Sequence, residues 1–125
     1  MNYMVIKKEI IEDLSKLLNL QFTGIEQDWD IEMADVSKIE DFICFYNKKN
    51  LSNELKVGTM ALILASFEEF LNENDLNIDD RWNEIKFILE TEKNLFHDLI
   101  KYWSLSDEVE EFDAFRITPL IRTIK

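Results

Sequence analysis

Residues 52–72, SNELKVGTMALILASFEEFLN, decide the fold of this 125-residue chain. Apolar residues recur in this stretch at alternating spacings of three and four, which is one stripe of an α-helix. The stripe consists of Val57, Met60, Leu64, Phe67 and Leu71, and Leu55, Leu62, Ile63 and Phe70 cover much of the remaining helix surface. A helix that is apolar on most sides is normally buried. We therefore expect a buried central helix at about 53–72.

The rest of the sequence predicts shorter helices that would cover this central one. Apolar stripes occur in residues 4–18, 37–48, 79–103 and 118–124, and the third of these ranges forms either one bent helix or two. With two glycines, one proline and no Asn-Gly, Asp-Gly or Gly-Gly pair, the sequence lacks tight-hairpin signals, which also favours helices. We predict an all-α fold: a single domain spanning 1–125, arranged as an antiparallel bundle of five to six helices.

Local signals refine this prediction. Ser37 and Glu40 have the spacing of a capping box, and Ser52 is placed to cap the central helix. Small residues along one side of the central helix, among them Gly58, predict close approach of a neighbouring helix. Cys44 lies in an apolar run, which favours a buried side chain. The connection at 19–36 is unusually long, and such connections are often functional.

The amino-acid composition and net charge restrict the classes of partner that the protein can have. The chain has 26 acidic and 14 basic residues and a net charge of −12. Nucleic acid and anionic membranes would repel it, so we expect neither as a partner. The N-terminus does not have the pattern of a signal peptide, and no apolar run is long enough to span a bilayer, which predicts a soluble, cytoplasmic protein. We expect a monomer or a weak dimer.

The sequence contains no complete motif of a common catalytic, metal or cofactor site. Asp28-x-Asp30-x-Glu32 resembles the start of a calcium loop, but the glycine and the final glutamate of such a loop are not in place. The only histidine, His97, cannot form a two-histidine zinc site and is expected on the solvent side of its helix. We therefore predict no enzyme activity, no metal and no cofactor.

The acidic residues are concentrated in three segments that contain no Lys or Arg. The segments lie between Leu17 and Ser37, between Val57 and Asp80, and between Tyr102 and Phe115, and they hold 16 of the 26 acids. If successive helices run up and down, all three segments fall at the same end of the bundle. The alternative is that each acid only caps a helix or solvates a loop, which fits Asp35, Asp79 and Asp80.

This reasoning predicts an acidic surface that binds a partner protein. Trp29 is expected to face the partner, because Trp is enriched at interface hot spots, whereas Trp82 and Trp103 are expected in the core. The predicted partner-binding residues are Asp28, Trp29, Asp30, Glu32, Glu73, Asp75, Asp79, Asp80, Asp107, Glu108, Glu110 and Glu111.

Four stretches carry a resemblance to a known class of proteins: DWDIEMAD (28–35), ALILASFEEF (61–70), YWSL (102–105) and FRITPLIR (115–122). They resemble the small acidic helical immunity proteins encoded beside bacterial polymorphic toxins, in contact-dependent inhibition and related systems. The resemblance covers most of the chain, and none of the four stretches is a catalytic signature. It implies a protein that binds one cognate toxin domain and blocks its active site or substrate channel.

Charge and resemblance together predict a toxin-neutralising protein whose acidic face covers a basic toxin domain, for example a nuclease. The alternative is a helical adaptor or regulatory subunit of a cytoplasmic complex, whose acidic surface only keeps it soluble and whose binding site is an apolar helix face. Charge reversal in the acidic surface separates the two, since only the first predicts a large loss of binding.

Overall fold

A computed structural model of the chain describes residues 6–21, 29–48, 50–105 and 115–124. These ranges contain seven α-helices and one 3-10 turn, and no strand, which confirms the all-α prediction. In chain order the elements are α1 (Lys8–Leu17), α2 (Trp29–Glu32), the 3-10 turn (Val36–Lys38), α3 (Ile39–Tyr46), α4 (Asn53–Glu73), α5 (Arg81–Thr91), α6 (His97–Ser104) and α7 (Thr118–Ile121).

The central helix, α4, has the boundaries and the burial that its sequence predicts. Ten consecutive residues, 58–67, are buried, so this part of the helix is covered on every side. Ser52 caps it, since its Oγ accepts the backbone N–H of Leu55 over 3.2 Å. The buried hydroxyl of Thr59 donates to the carbonyl of Leu55 over 2.7 Å, so it is not left without a partner inside the core.

Gly58 allows α1 to approach α4 closely, as the small residues of the central helix predict. A Cβ atom at position 58 would overlap Cδ1 of Leu14 and would lie 3.7 Å from Cγ2 of Ile10. Leu14 has no exposed surface, so its side chain has little room to move away. The glycine is therefore explained by packing against α1.

The chain divides into two compact units, residues 5–69 and residues 70–125, with the boundary inside α4. The expectation of a single domain stays a prediction. None of the helices in the described ranges combines the length and apolar character needed to cross a lipid bilayer.

In residues 5–69, the prediction about the start of α3 is wrong. The predicted Ser37–Glu40 capping box does not form, because Ser37 lies inside the 3-10 turn and Asp35 provides the cap. The Asp35 carboxylate accepts the backbone N–H of Ser37 over 2.9 Å and its hydroxyl over 2.6 Å. The N–H of Asp35 in turn donates to the buried Ser66 Oγ of α4 over 3.0 Å, which ties this segment to the central helix.

Cys44 is exposed on α3, contrary to the prediction of a buried side chain. The buried residues of that helix are Ile39, Phe42, Ile43, Phe45 and Tyr46. Position 44 lies on the outward side of α3, although the residues before and after it are buried. The continuous apolar run in the sequence therefore did not show that one of its positions faces outward.

In residues 70–125, the stretch 79–103 forms two helices, separated by a turn at 92–96. The end of α6 is held by the segment that contains α7. The Thr118 hydroxyl donates to the carbonyl of Trp103 over 2.8 Å, and Arg122 Nε donates to the carbonyl of Ser104 over 2.8 Å. These side chains satisfy the last carbonyls of α6, which have no partner within the helix.

Candidate docking surface

Five of the twelve predicted partner-binding residues lie outside the described residues: Asp28, Asp107, Glu108, Glu110 and Glu111. The other seven belong to two separate parts of the chain. Trp29, Asp30 and Glu32 are in α2, and Glu73, Asp75, Asp79 and Asp80 connect α4 to α5. The gathering of all three acidic segments on one surface therefore stays a prediction.

Trp29 and Asp30 are buried, so the prediction that they present their side chains to a partner is wrong for this structure. Trp29 is 4% exposed and Asp30 is 6% exposed. The indole N–H of Trp29 donates to Ser15 Oγ of α1 over 3.1 Å, which satisfies the polar atom of an otherwise apolar side chain inside the core. The outward side of α2 carries Ile31, which is 44% exposed, and Glu32, which is also exposed.

The segment 73–80 begins with a Schellman motif that ends α4. The N–H of Leu76 donates to the carbonyl of Leu71 over 2.9 Å, and the N–H of Asp75 donates to that of Asn72 over 3.3 Å. Asp75 has a φ of 52°, the left-handed conformation that this motif requires. Asp tolerates that conformation better than most residues because its short polar side chain can hydrogen-bond nearby.

Arg116 holds this turn from the C-terminal part of the chain. Its guanidinium donates to Asp75 Oδ1 over 2.7 Å, to Asn72 Oδ1 over 3.0 Å and to the carbonyl of Leu76 over 3.2 Å. The Asp75 side chain is 90% exposed, so water screens this ion pair. The three contacts mainly fix the course of the chain after α4.

The N-cap of α5 is Asp80, one residue later than the cap that the sequence predicts, and its side chain makes no capping hydrogen bond. Asp79 instead binds the first residue of the helix. Its Oδ1 accepts the backbone N–H of Arg81 over 3.0 Å and the Arg81 guanidinium over 3.3 Å. The same guanidinium lies 4.8 Å from the centre of the Phe70 ring. Sequence reasoning missed these arginines: the segment contains no base, yet the fold brings Arg81 to Asp79 and Arg116 to Asp75.

The exposed side chains of the segment 73–80 are both acidic and apolar. Glu73 and Asp80 are exposed, as are Leu76 (38%) and Ile78 (60%). Of the five large hydrophobic side chains exposed in the described ranges, four lie in or at the edge of the first two acidic segments: Leu17, Ile31, Leu76 and Ile78. Exposed apolar patches that are rimmed by polar residues mark protein–protein interaction sites.

The fifth is Phe87, 69% exposed on α5, which sequence reasoning did not single out. The inward residues of α5 are Trp82, Ile85, Ile88 and Leu89. Phe87 does not fit that stripe, and this mismatch was the signal that could have identified it.

Nothing in the described ranges is arranged as a metal site: no group of three or more His, Cys, Asp or Glu side chains converges there. His97 is exposed, as predicted. An open cleft beside α1 is lined by Glu12, Ser15, Lys16, Asn19 and Leu20. The hydroxyl of Ser15 accepts the indole N–H of Trp29.

Comparison with known proteins finds no matching family model, no matching curated protein and no matching solved structure.

Proposed function

We propose that this chain is an immunity protein that neutralises a cognate bacterial toxin by binding a basic toxin domain. The observation that supports this best is the overlap of exposed apolar and acidic side chains. In the segment 73–80, Ile78 and Leu76 are exposed among the carboxylates of Glu73, Asp75, Asp79 and Asp80. Apolar contact area supplies affinity, and charges of one sign select a partner of the opposite sign.

The carboxylates of this segment have two roles. Asp75 and Asp79 are engaged by arginines and fix the conformation of the chain, although Asp75 is also exposed. Glu73 and Asp80 are exposed and available to a partner. If the toxin domain is a nuclease, exposed carboxylates take the place of substrate phosphates in its basic cleft. Binding there blocks access of the substrate without any chemical step in this chain.

The proposal is tested by co-purifying the chain with the product of the reading frame directly upstream and measuring the association rate. Glu73→Lys is the informative variant, because Glu73 is exposed at the C-terminal end of α4. At about 10 Å in water, two unit charges interact by about 0.4 kcal/mol. Reversing one charge therefore changes the interaction energy between the two charges by about 0.8 kcal/mol. This corresponds to an about fourfold change in the association rate at low salt.

Asp13→Lys provides a control with the same change in net charge, at an exposed position in the middle of α1. We expect Glu73→Lys to slow association clearly more than Asp13→Lys. Equal effects of the two variants would show that only net charge matters. No binding of the upstream product would contradict the proposal itself.

A second candidate is a helical adaptor that binds its partner through apolar contacts. The exposure of Ile78 and Phe87 favours it. In that case Ile78→Ala weakens binding, whereas Glu73→Lys and added salt leave the affinity unchanged.

A further inference from the structure

The outward face of α5 presents an exposed aromatic side chain. Phe87 is 69% exposed, the largest exposed fraction among the big apolar side chains of the described ranges. The same helix turns Trp82, Ile85, Ile88 and Leu89 inward, so its attachment to the core does not involve Phe87. A single exposed apolar residue is common, and the surroundings of Phe87 decide whether it has further meaning.

On a helix, the surface neighbours of a residue lie three and four positions away. For Phe87 these are Asn83, Glu84, Glu90 and Thr91, which are all exposed. Asp80, one further turn toward the N-terminus, lies on the same face and is exposed too. The aromatic ring is thus bordered by carboxylates and small polar groups along the outer face of α5.

Neither basic residue of α5 lies three or four positions from Phe87. Arg81 is engaged with the Asp79 carboxylate and stacked on the Phe70 ring. Lys86 directly precedes Phe87, which places it about 100° away around the helix, and it is half-buried. An aromatic centre with a charged rim is the arrangement of a protein-binding hot spot.

The charge identifies the kind of occupant. A second copy of this chain, with its own net charge of −12, would bring carboxylates against carboxylates. A partner surface with an apolar pocket rimmed by Lys or Arg would complement both the exposed Phe87 ring and the carboxylates around it. We infer that Phe87 is the anchor of the docking surface and inserts into such a pocket on the basic toxin domain; this inference rests on the proposed function.

The experiment measures the affinity of the purified upstream gene product for four forms of the full chain: wild type, Phe87→Ala, Phe87→Leu and Cys44→Ala. Cys44 is exposed on α3 and serves as the control for removal of a surface side chain. We expect Phe87→Ala to weaken binding about 30-fold, the loss typical of a hot-spot residue. Phe87→Leu should recover part of that loss, and Cys44→Ala should bind as wild type does.

The outcomes separate this inference from the proposed function. If the upstream product binds wild type and Phe87→Ala equally well, the anchor assignment is overturned and the immunity function stands. If it binds neither, the proposed function fails and the inference fails with it. Sedimentation of the chain alone provides a further check, because self-association that Phe87→Ala abolishes would assign this face to a second copy. Circular dichroism of each variant shows that a loss of binding is not a loss of folding.

Discussion

Replacing Gly58 with alanine has two opposite effects on stability: it raises helix propensity and it creates a steric clash. In the interior of a helix, alanine is about 1 kcal/mol more favourable than glycine. The new Cβ, however, would overlap Cδ1 of Leu14, which has no exposed surface. Overpacking a core costs about 1–3 kcal/mol. We therefore expect Gly58→Ala to lower the free energy of unfolding by up to about 2 kcal/mol, although it removes a helix-breaking residue.

A double-mutant cycle with Leu14 isolates the clash. Leu14→Ala alone should cost about 2–5 kcal/mol, because it leaves a cavity next to α4. In the double variant the clash is gone and the alanine methyl group fills part of that cavity. The double variant should then be more stable than the sum of the single effects predicts, by about 1–3 kcal/mol.

The free energy of unfolding is measured for wild type, the two single variants and the double variant by urea unfolding followed by circular dichroism. The pair Gly58→Ala and Leu64→Ala serves as the control, since Leu64 is buried but lies almost two turns further along α4, and its effect should be additive. A Gly58→Ala protein about 1 kcal/mol more stable than wild type, with no coupling to Leu14, would refute the close approach of α1 to α4.

Four further changes test individual contacts by the same unfolding assay. Trp29→Phe keeps an aromatic ring in the core but removes the hydrogen bond to Ser15 and part of the indole volume, and should cost about 2–4 kcal/mol; combining it with Ser15→Ala should add little more. Thr118→Val removes the bond to the carbonyl of Trp103 and should cost about 1–3 kcal/mol, since a buried acceptor loses its partner. Arg116→Ala should cost about 1 kcal/mol, because its contacts are largely exposed. Glu73→Lys should stabilise the chain by about 0.3–1 kcal/mol through the helix dipole, even though it weakens binding.

For each of these four substitutions, one experimental outcome would contradict the physical reason given for its effect. Trp29→Phe and Ser15→Ala effects that simply add would show that the two side chains do not interact. A Thr118→Ser protein as unstable as Thr118→Val would show that the hydroxyl is not the important group. Arg116→Lys retaining full stability would argue against the forked contact. A destabilising Glu73→Lys would place Glu73 in a local ion pair.

The fold class followed from the sequence because burial leaves a periodic pattern. The helical periodicity of α4 extends over 21 consecutive residues. The inward-facing residues of α5 likewise follow from the spacing of its apolar residues alone. Gly58 could also be interpreted correctly, since a glycine within a strongly apolar helix favours close packing of a neighbouring helix.

The errors came from partners that are distant in sequence. Trp29 lies in a segment without a helical stripe, and the hydrogen-bond partner of its indole N–H is Ser15, 14 residues earlier. Asp75 meets Arg116, 41 residues later, so the charge of its segment could not be judged from neighbouring residues. The cap at Asp35 depends on its anchor Ser66, 31 residues away. Local patterns predict helices well, but they do not show which charges the fold pairs.

The central claim is that exposed carboxylates guide this chain to a basic partner. The most direct test is the association rate of the upstream gene product with wild-type chain, measured from low to high salt. Screening weakens attraction between exposed charges over a distance of about 10 Å at 0.1 M salt. We predict that the rate falls steeply as salt rises while the dissociation rate changes little. A rate that does not depend on salt would contradict the claim.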